Sequence, residues 1–348
     1  MRTIDLENHF VPQTYIDALY RHEGYPRLVD DPSTGKRRLY YAADTFGPHG
    51  DVVMNRLLDF KSRIKEMDAT DIDVAVISLT SPGVDQFEPK LGTELARQAN
   101  DALAEAVDAH PGRIEGFAAA CPHDPDAAAK ELERAVKELG FLGWKTHSNF
   151  GSSYLDDRRY WPILEMAEKL DAPIYLHPTA PAIPAFRTYG FALAGAAFGF
   201  GAETALAMMR LILSGAFDAF PKLKIILGHY GEGLPFLLQR VDSPFVRPHA
   251  KEDKRAVPDI KRKPSDYLRD NMVVTTSGNY LDAAFQCTKD ALGMDKIILG
   301  TDYPYEDMGE AKEFLNGLDL SDVEREQLFS RNVLGLGALY GESLVGTV

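Results

Sequence analysis

The chain has 348 residues, 45% of them hydrophobic and 26% charged, with a formal net charge of −14. That composition supplies a sizeable core, and the acidic balance argues against a nucleic-acid phosphate backbone or an anionic membrane as partner. The longest apolar runs are strand-sized, so no transmembrane helix is expected. The first residues lack the basic-then-apolar layout of a signal peptide, and Cys121 and Cys287 form neither a disulfide framework nor a zinc spacing. A reducing cytoplasm is the expected compartment.

The chain opens on the run Arg2–Phe10, of which Thr3–Phe10 is read as a strand. Strict alternation would send Asp5, Glu7 and His9 to one face and Ile4, Leu6 and Phe10 to the other. Seven further short runs rich in Val, Ile and Leu follow: Asp71–Thr80, Arg113–Pro122, Leu142–Asn149, Ala172–Pro178, Leu223–Tyr230, Asn271–Asn279 and Lys296–Pro304. Stretches of helical period lie between them, among them Arg56–Met67, Gly92–Ala109, Pro125–Leu139 and Tyr160–Leu170. Eight strand–helix alternations predict an α/β fold, a (β/α)8 TIM barrel formed as one domain over residues 1–348. A doubly wound open sheet is the competitor, but no Gly-x-Gly-x-x-Gly turn follows an early strand. Long insertions are expected after strands 1, 5 and 6, at Val11–Asp51, Thr179–Gly201 and Asp242–Asp270, as lids or contact surfaces. The basic run Lys251–Lys263 reads as a solvated loop.

In such barrels the chemistry sits at the C-terminal ends of the strands. Those ends carry Glu7 and His9, then Lys145, His147 and Asn149, then His177, His229 and Asp302. Glu7, His9, His177 and Asp302 would give a mixed imidazole and carboxylate shell for one divalent ion, Zn²⁺ or Mn²⁺, with a position left open. His229, in Gly228-His-Tyr-Gly-Glu232, would stand nearby as an acid–base group oriented by Glu232. A lone strand-end histidine is more often a structural or solvent-facing residue, and only the coincidence of several on one rim makes a site. His147 is open between pocket lining and structure. Lys145 is open between a pocket or salt-bridged lysine and, less simply, a carboxylated bridge between two metals. His22, His49, His110, His123 and His249 fall in loops or at helix ends and read as surface residues.

Glu7-Asn-His-Phe10, Tyr175-Leu-His-Pro178, Ile226-Leu-Gly-His-Tyr-Gly-Glu-Gly-Leu-Pro235 and Gly300-Thr-Asp-Tyr-Pro304 together resemble the amidohydrolase superfamily. More narrowly, they resemble its branch of non-oxidative aromatic acid decarboxylases, which act on γ-resorcylate, 5-carboxyvanillate, 2,3-dihydroxybenzoate and aminocarboxymuconate semialdehyde. Met67-Asp-Ala-Thr-Asp-Ile-Asp-Val-Ala-Val76, Thr80-Ser-Pro-Gly-Val84, Phe198-Gly-Phe-Gly-Ala-Glu-Thr204 and Thr275-Thr-Ser-Gly-Asn279 extend the likeness over nearly the whole chain.

The resemblance implies one divalent ion on Glu7, His9, His177 and Asp302. Glu7 in place of a first histidine favours the hydroxybenzoate-type members over a binuclear hydrolase. It also implies that Asp302 protonates the ring carbon bearing the carboxylate and that His229 with Glu232 holds the carboxylate or relays the proton. Arg240 would reach the substrate of a neighbouring subunit in a homodimer or homotetramer, unless it pairs with Asp242 or Glu232 in its own chain. The substrate would be a small aromatic carboxylic acid with an ortho hydroxyl, against Phe10, Phe198, Tyr303 and His147, with Phe200 and Tyr305 as further rim aromatics. The enzyme alternative is a metal-dependent hydrolase or hydratase of a lactone or unsaturated dicarboxylate. Outside the enzymes, the alternative is a catalytically silent barrel, which would be expected to have a broken metal shell.

Overall fold

The computed structural model describes residues 2–48, 51–247 and 257–337, so His49, His249 and the first part of the basic run lie outside the described residues. All eight predicted strands form. β1 is Ile4–Phe10; the insertion after it adds an antiparallel sheet of β2 (Arg27–Asp30), β3 (Arg37–Ala42) and β4 (Thr45–Phe46). The remaining seven are β5 (Val74–Leu79), β6 (Ile114–Gly116), β7 (Trp144–His147), β8 (Ile174–His177), β9 (Ile225–Leu227), β10 (Met272–Thr275) and β11 (Ile297–Ile298). They pair in parallel as two arcs, β1-β5-β6 and β7-β8-β9-β10-β11.

Single bridges span the two seams between the arcs. Ala118 pairs with Trp144 beyond the end of β6, and Asn8 of β1 pairs with Tyr303 beyond the end of β11. Main-chain bonds reinforce both seams: Lys145 N donates to Ala118 O at 2.9 Å, Leu6 N to Leu299 O at 2.9 Å and His9 N to Tyr303 O at 2.8 Å. Ile4, Leu6, Val74, Val76, Tyr175, Ile226 and Ile298 meet in one buried cluster drawn from both arcs. Apolar side chains of the opposite parity, such as Ala75, Ile77, Ile225, Leu227 and Ile297, join the larger core beneath the helices. Strands buried on both sides in this way read as continuous apolar runs rather than alternating ones.

One correction concerns β1. Its register against β5 shifts between Asp5 and Asn8, so strict alternation fails there. Ile4 and Leu6 share the cluster between the arcs, yet Glu7 and His9 also reach the common site, while Phe10 packs in the other core. Asp5 is set apart from Glu7 and His9: its carboxylate accepts bonds from Thr301 N at 3.0 Å and Thr301 Oγ1 at 2.5 Å.

The helices follow their local signals. The predicted Arg56–Met67 helix is two, Asp51–Leu58 and Phe60–Ala69, because Asp59 accepts bonds from Lys61 N and Ser62 N and starts the second. The helix Pro89–Ala109 is capped by Glu88, and Asp124 caps Pro125–Lys137. The insertions are not structureless: Val11–Asp51 holds the helix Gln13–Arg21 and the small sheet, and Thr179–Gly201 holds the turns Pro184–Arg187 and Phe191–Ala194. His22, His110 and His123 are half-buried rather than surface residues; His123 Nε2 lies 2.9 Å from Asp85 O. Among the described residues, no helix is long and apolar enough to cross a membrane.

Candidate metal centre and active site

Four of the expected residues converge at the strand ends. Glu7, His9, His177 and Asp302 each offer one ligand atom, and those atoms all lie within 4.8 Å of one another. It is the one such group among the described residues. His9 Nε2 stands 2.6 Å from Asp302 Oδ1, and His177 Nε2 stands 3.6 Å from Glu7 Oε1. Glu7 Oε1 and His177 Nε2 are buried without a hydrogen-bond partner. A buried, unsatisfied carboxylate oxygen facing a buried, unsatisfied imidazole nitrogen is costly unless a cation completes both, so the residues fit one divalent ion.

The surroundings orient these ligands. His177 Nδ1 is 2.8 Å from Pro178 O and can only donate there, which leaves the Nε2 lone pair facing the centre. Thr275 Oγ1 donates to Glu7 Oε2 at 2.5 Å, fixing the carboxylate so that Oε1 points inward. A Cβ on Gly300 would come within 3.0 Å of the Glu7 Cβ and 2.7 Å of the Thr275 Cβ, so this pair needs glycine beside it. Lys145 Nζ donates to Leu79 O at 2.8 Å and lies 3.1 Å from His9 Nδ1. It is thus a pocket lysine, and no second metal shell surrounds it among the described residues.

Burial sets the protonation of the cluster. It pulls His9 down to about 4, helped by the Lys145 charge, and holds His177 well below the usual imidazole range. Both rings are therefore neutral, the form that binds a metal. Burial pulls Lys145 down to about 7 and raises Glu7. Burial would raise Asp302 as well, but its contacts with His229 and His9 win and hold it below the usual carboxylate range.

His229 and Glu232 meet as expected, with His229 Nδ1 2.8 Å from Glu232 Oε1. The other ring nitrogen, Nε2, faces Asp302 Oδ2 at 3.8 Å. Burial would lower His229, but the Glu232 and Asp302 carboxylates outweigh it and push the imidazole well above its usual range. The backbone is strained where these groups project: His229, Glu232 and Asp302 have φ of 51°, 55° and 61°. Such conformations cost on the order of 1–3 kcal/mol each and are kept where side-chain placement matters.

The other candidates fall differently. His147 is buried with Nδ1 on the Asp85 carboxylate, and its Nε2 lacks a partner, so it is a paired wall residue rather than an open one. Phe10 and Tyr303 turn into the core: Phe10 lies 6.2 Å from the Phe60 ring, and Tyr303 OH donates to Glu66 at 3.1 Å. Phe198 is 58% exposed and packs on Phe186. The rim aromatic brought to the cluster is Tyr305, with its ring 5.6 Å from His9 and its hydroxyl 2.6 Å from Thr80 Oγ1. The turn after Asp302 reverses the expected side, because Tyr303 pairs with β1 through its backbone and its ring enters the core beneath the helices, away from the cluster. Arg240 is exposed on the short helix Leu238–Val241. Its two suggested intrachain partners are otherwise engaged, Glu232 by His229 and Asp242 by Ser265. Thr275 and Ser81 lie in stretches that carry the family likeness, but neither has a role legible in the sequence: Thr275 donates to Glu7, and Ser81 Oγ donates to Pro178 O at 2.7 Å beside His177.

Residues 4–333 match the amidohydrolase family. A γ-resorcylate decarboxylase of Polaromonas sp. strain JS666 is 39% identical over 291 residues, covering 79% of this chain and 86% of that one. The crystal structure of a 5-carboxyvanillate decarboxylase from Sphingomonas paucimobilis superposes with a TM-score of 0.86 at 34% identity, covering 97% of this chain and 98% of that one. A dihydroxybenzoic acid decarboxylase from Polaromonas sp. JS666, crystallised with manganese and the inhibitor 2-nitroresorcinol, gives a TM-score of 0.81 at 34% identity, covering 96% of each chain. The chain belongs to the amidohydrolase family, in its decarboxylase branch.

Proposed function

We propose that the protein removes the carboxylate of an ortho-hydroxybenzoate without oxidation, by protonating the ring carbon that bears it. The observation that carries this reading is the Glu7, His9, His177 and Asp302 cluster, with a histidine–carboxylate pair aimed at Asp302. A divalent ion held by these four, Mn²⁺ or Zn²⁺, would supply Lewis acidity that orients the substrate and withdraws charge from it. The chain's own residues handle the proton. His229, kept cationic by Glu232, holds a proton facing the Asp302 carboxylate across the 3.8 Å gap, and the electron-rich ring draws it through Asp302. Asp302 delivers it to the ring carbon, and the electrons of the breaking C–C bond return to the ring as CO₂ leaves. The buried wall around His147 and Lys145 keeps water from the ring, with the half-exposed Tyr305 at its rim.

The fold reading that supports this is a closed (β/α)8 barrel in one domain: side chains from both arcs share a core, and bridges span both seams. The insertions after β1, β8 and β9 act as lids and contact surfaces. Arg240 serves the substrate of a neighbouring copy in a homodimer or homotetramer. The exposed Phe236 and Leu237 beside it, 82% and 41% exposed, give that contact an apolar surface. Arg240→Ala is expected to raise KM roughly 10–100-fold, the worth of a charged hydrogen bond, or to loosen assembly. Steady-state kinetics with light scattering checks this, and an unchanged enzyme removes the arginine from the site.

The deciding test is a panel of ortho-hydroxybenzoates incubated with the Mn²⁺-loaded protein in D₂O and followed by proton NMR. Decarboxylation with one deuterium at the vacated ring carbon is the expected result. Turnover confined to a lactone or an unsaturated dicarboxylate would move the protein to the hydrolase and hydratase reading.

A further inference from the structure

We infer that Arg63 is a positioning residue of the metal centre, locking the irregular stretch of β1 that carries Glu7 and His9 against the turn that carries Asp302. This rests on reading the four-residue cluster as a metal site. The side chain comes from the helix Phe60–Ala69, outside the strands, and is fully buried. One arm of its guanidinium donates to Asn8 Oδ1 at 3.0 Å and the other to His9 O at 2.5 Å. Its flat face covers the Tyr303 ring at 4.7 Å. One cation thus touches the residue before His9, the carbonyl of His9 itself and the residue after Asp302.

This tie sits where the ladder is irregular. β1 slips register between Asp5 and Asn8, and the contact of β1 with the Asp302 turn is a single bridge between Asn8 and Tyr303. Asp302 N donates to Glu7 O at 3.0 Å and His9 N to Tyr303 O at 2.8 Å, so displacement of either segment displaces ligands on both. The hydrogen bonds of Arg63 described above go to neutral acceptors. The Asp5 and Glu66 carboxylates nearby favour the charge, while these two hydrogen bonds go to groups of β1. A planar fork with two fixed donors and a stacking face does suit it to holding three points in register, which a lysine cannot do. Burial pulls the guanidinium down to about 10, so it stays charged at neutral pH.

The test compares Arg63→Lys and Arg63→Met with the unaltered chain, each stripped of metal and titrated with Mn²⁺ while electron paramagnetic resonance counts free ion. The expected result is a loss of Mn²⁺ affinity of roughly 10–100-fold, the scale for groups that orient metal ligands, with Arg63→Lys recovering part of it. A Mn²⁺ Kd within twofold of the unaltered protein, with only the metal-free melting temperature lowered, would make Arg63 a structural residue and overturn the inference. If neither Arg63 variant folds, Tyr303→Leu decides: it removes the stacking face, and weaker Mn²⁺ binding supports the clamp while unchanged binding overturns it. Failure of the unaltered chain to bind Mn²⁺ would instead overturn the metal reading, and this inference with it.

Discussion

Asp302→Asn is expected to lower kcat by roughly 10³–10⁴-fold, at the upper end of what a positioned proton donor contributes. The substitution keeps size and backbone. Asparagine tolerates the left-handed φ of 61° at this position, and the main-chain bonds from Asp302 N to Glu7 O and from Tyr305 N to Asp302 O do not involve the side chain. The amide cannot carry a proton from His229 to the ring carbon, and it removes the negative charge that His9 and His229 face at 2.6 and 3.8 Å. Single-turnover kinetics separates the two losses. If the chemical step is slowed at saturating Mn²⁺ and substrate, the proton role stands. A rate within tenfold of the unaltered enzyme would leave Asp302 as a ligand only.

Stripping the metal with a chelator is expected to abolish turnover, and Mn²⁺ or Zn²⁺ should restore it. The same step should lower stability, because the empty cluster leaves Glu7 Oε1 and His177 Nε2 buried without partners. With free ion at 100 times its Kd, binding adds about 2.7 kcal/mol to the folded state. For a chain of 348 residues that is a rise in melting temperature of about 4 °C. Scanning calorimetry of stripped and reloaded protein reads this directly. A melting temperature independent of added metal, together with activity that survives the chelator, would remove the ion from the centre.

Which residues carry this chemistry was legible in the sequence wherever spacing alone constrained it. Eight apolar runs separated by helical stretches predicted the eight strands, all of which form. The acid and histidine side chains at the ends of three of them meet in one cluster. Gly228-His-Tyr-Gly-Glu232 placed Glu232 against His229, because three residues is one turn of chain. These are short-range facts, fixed by the period of a strand or a turn. Two decisions belonged to the tertiary structure. Period-two alternation cannot reveal a register slip, so the way Glu7 and His9 reach the site despite Ile4 and Leu6 facing the shared core depends on how β1 meets β5. The choice between Tyr303 and Tyr305 likewise depends on the backbone bridge from Tyr303 to Asn8, which sends the first ring into the core beneath the helices and leaves the second beside His9. The partners that fix the ligands, Thr275 and Arg63, come from segments far away in sequence. Their roles arise only when packing brings a hydroxyl or a guanidinium beside a particular atom, and no local pattern records that distance.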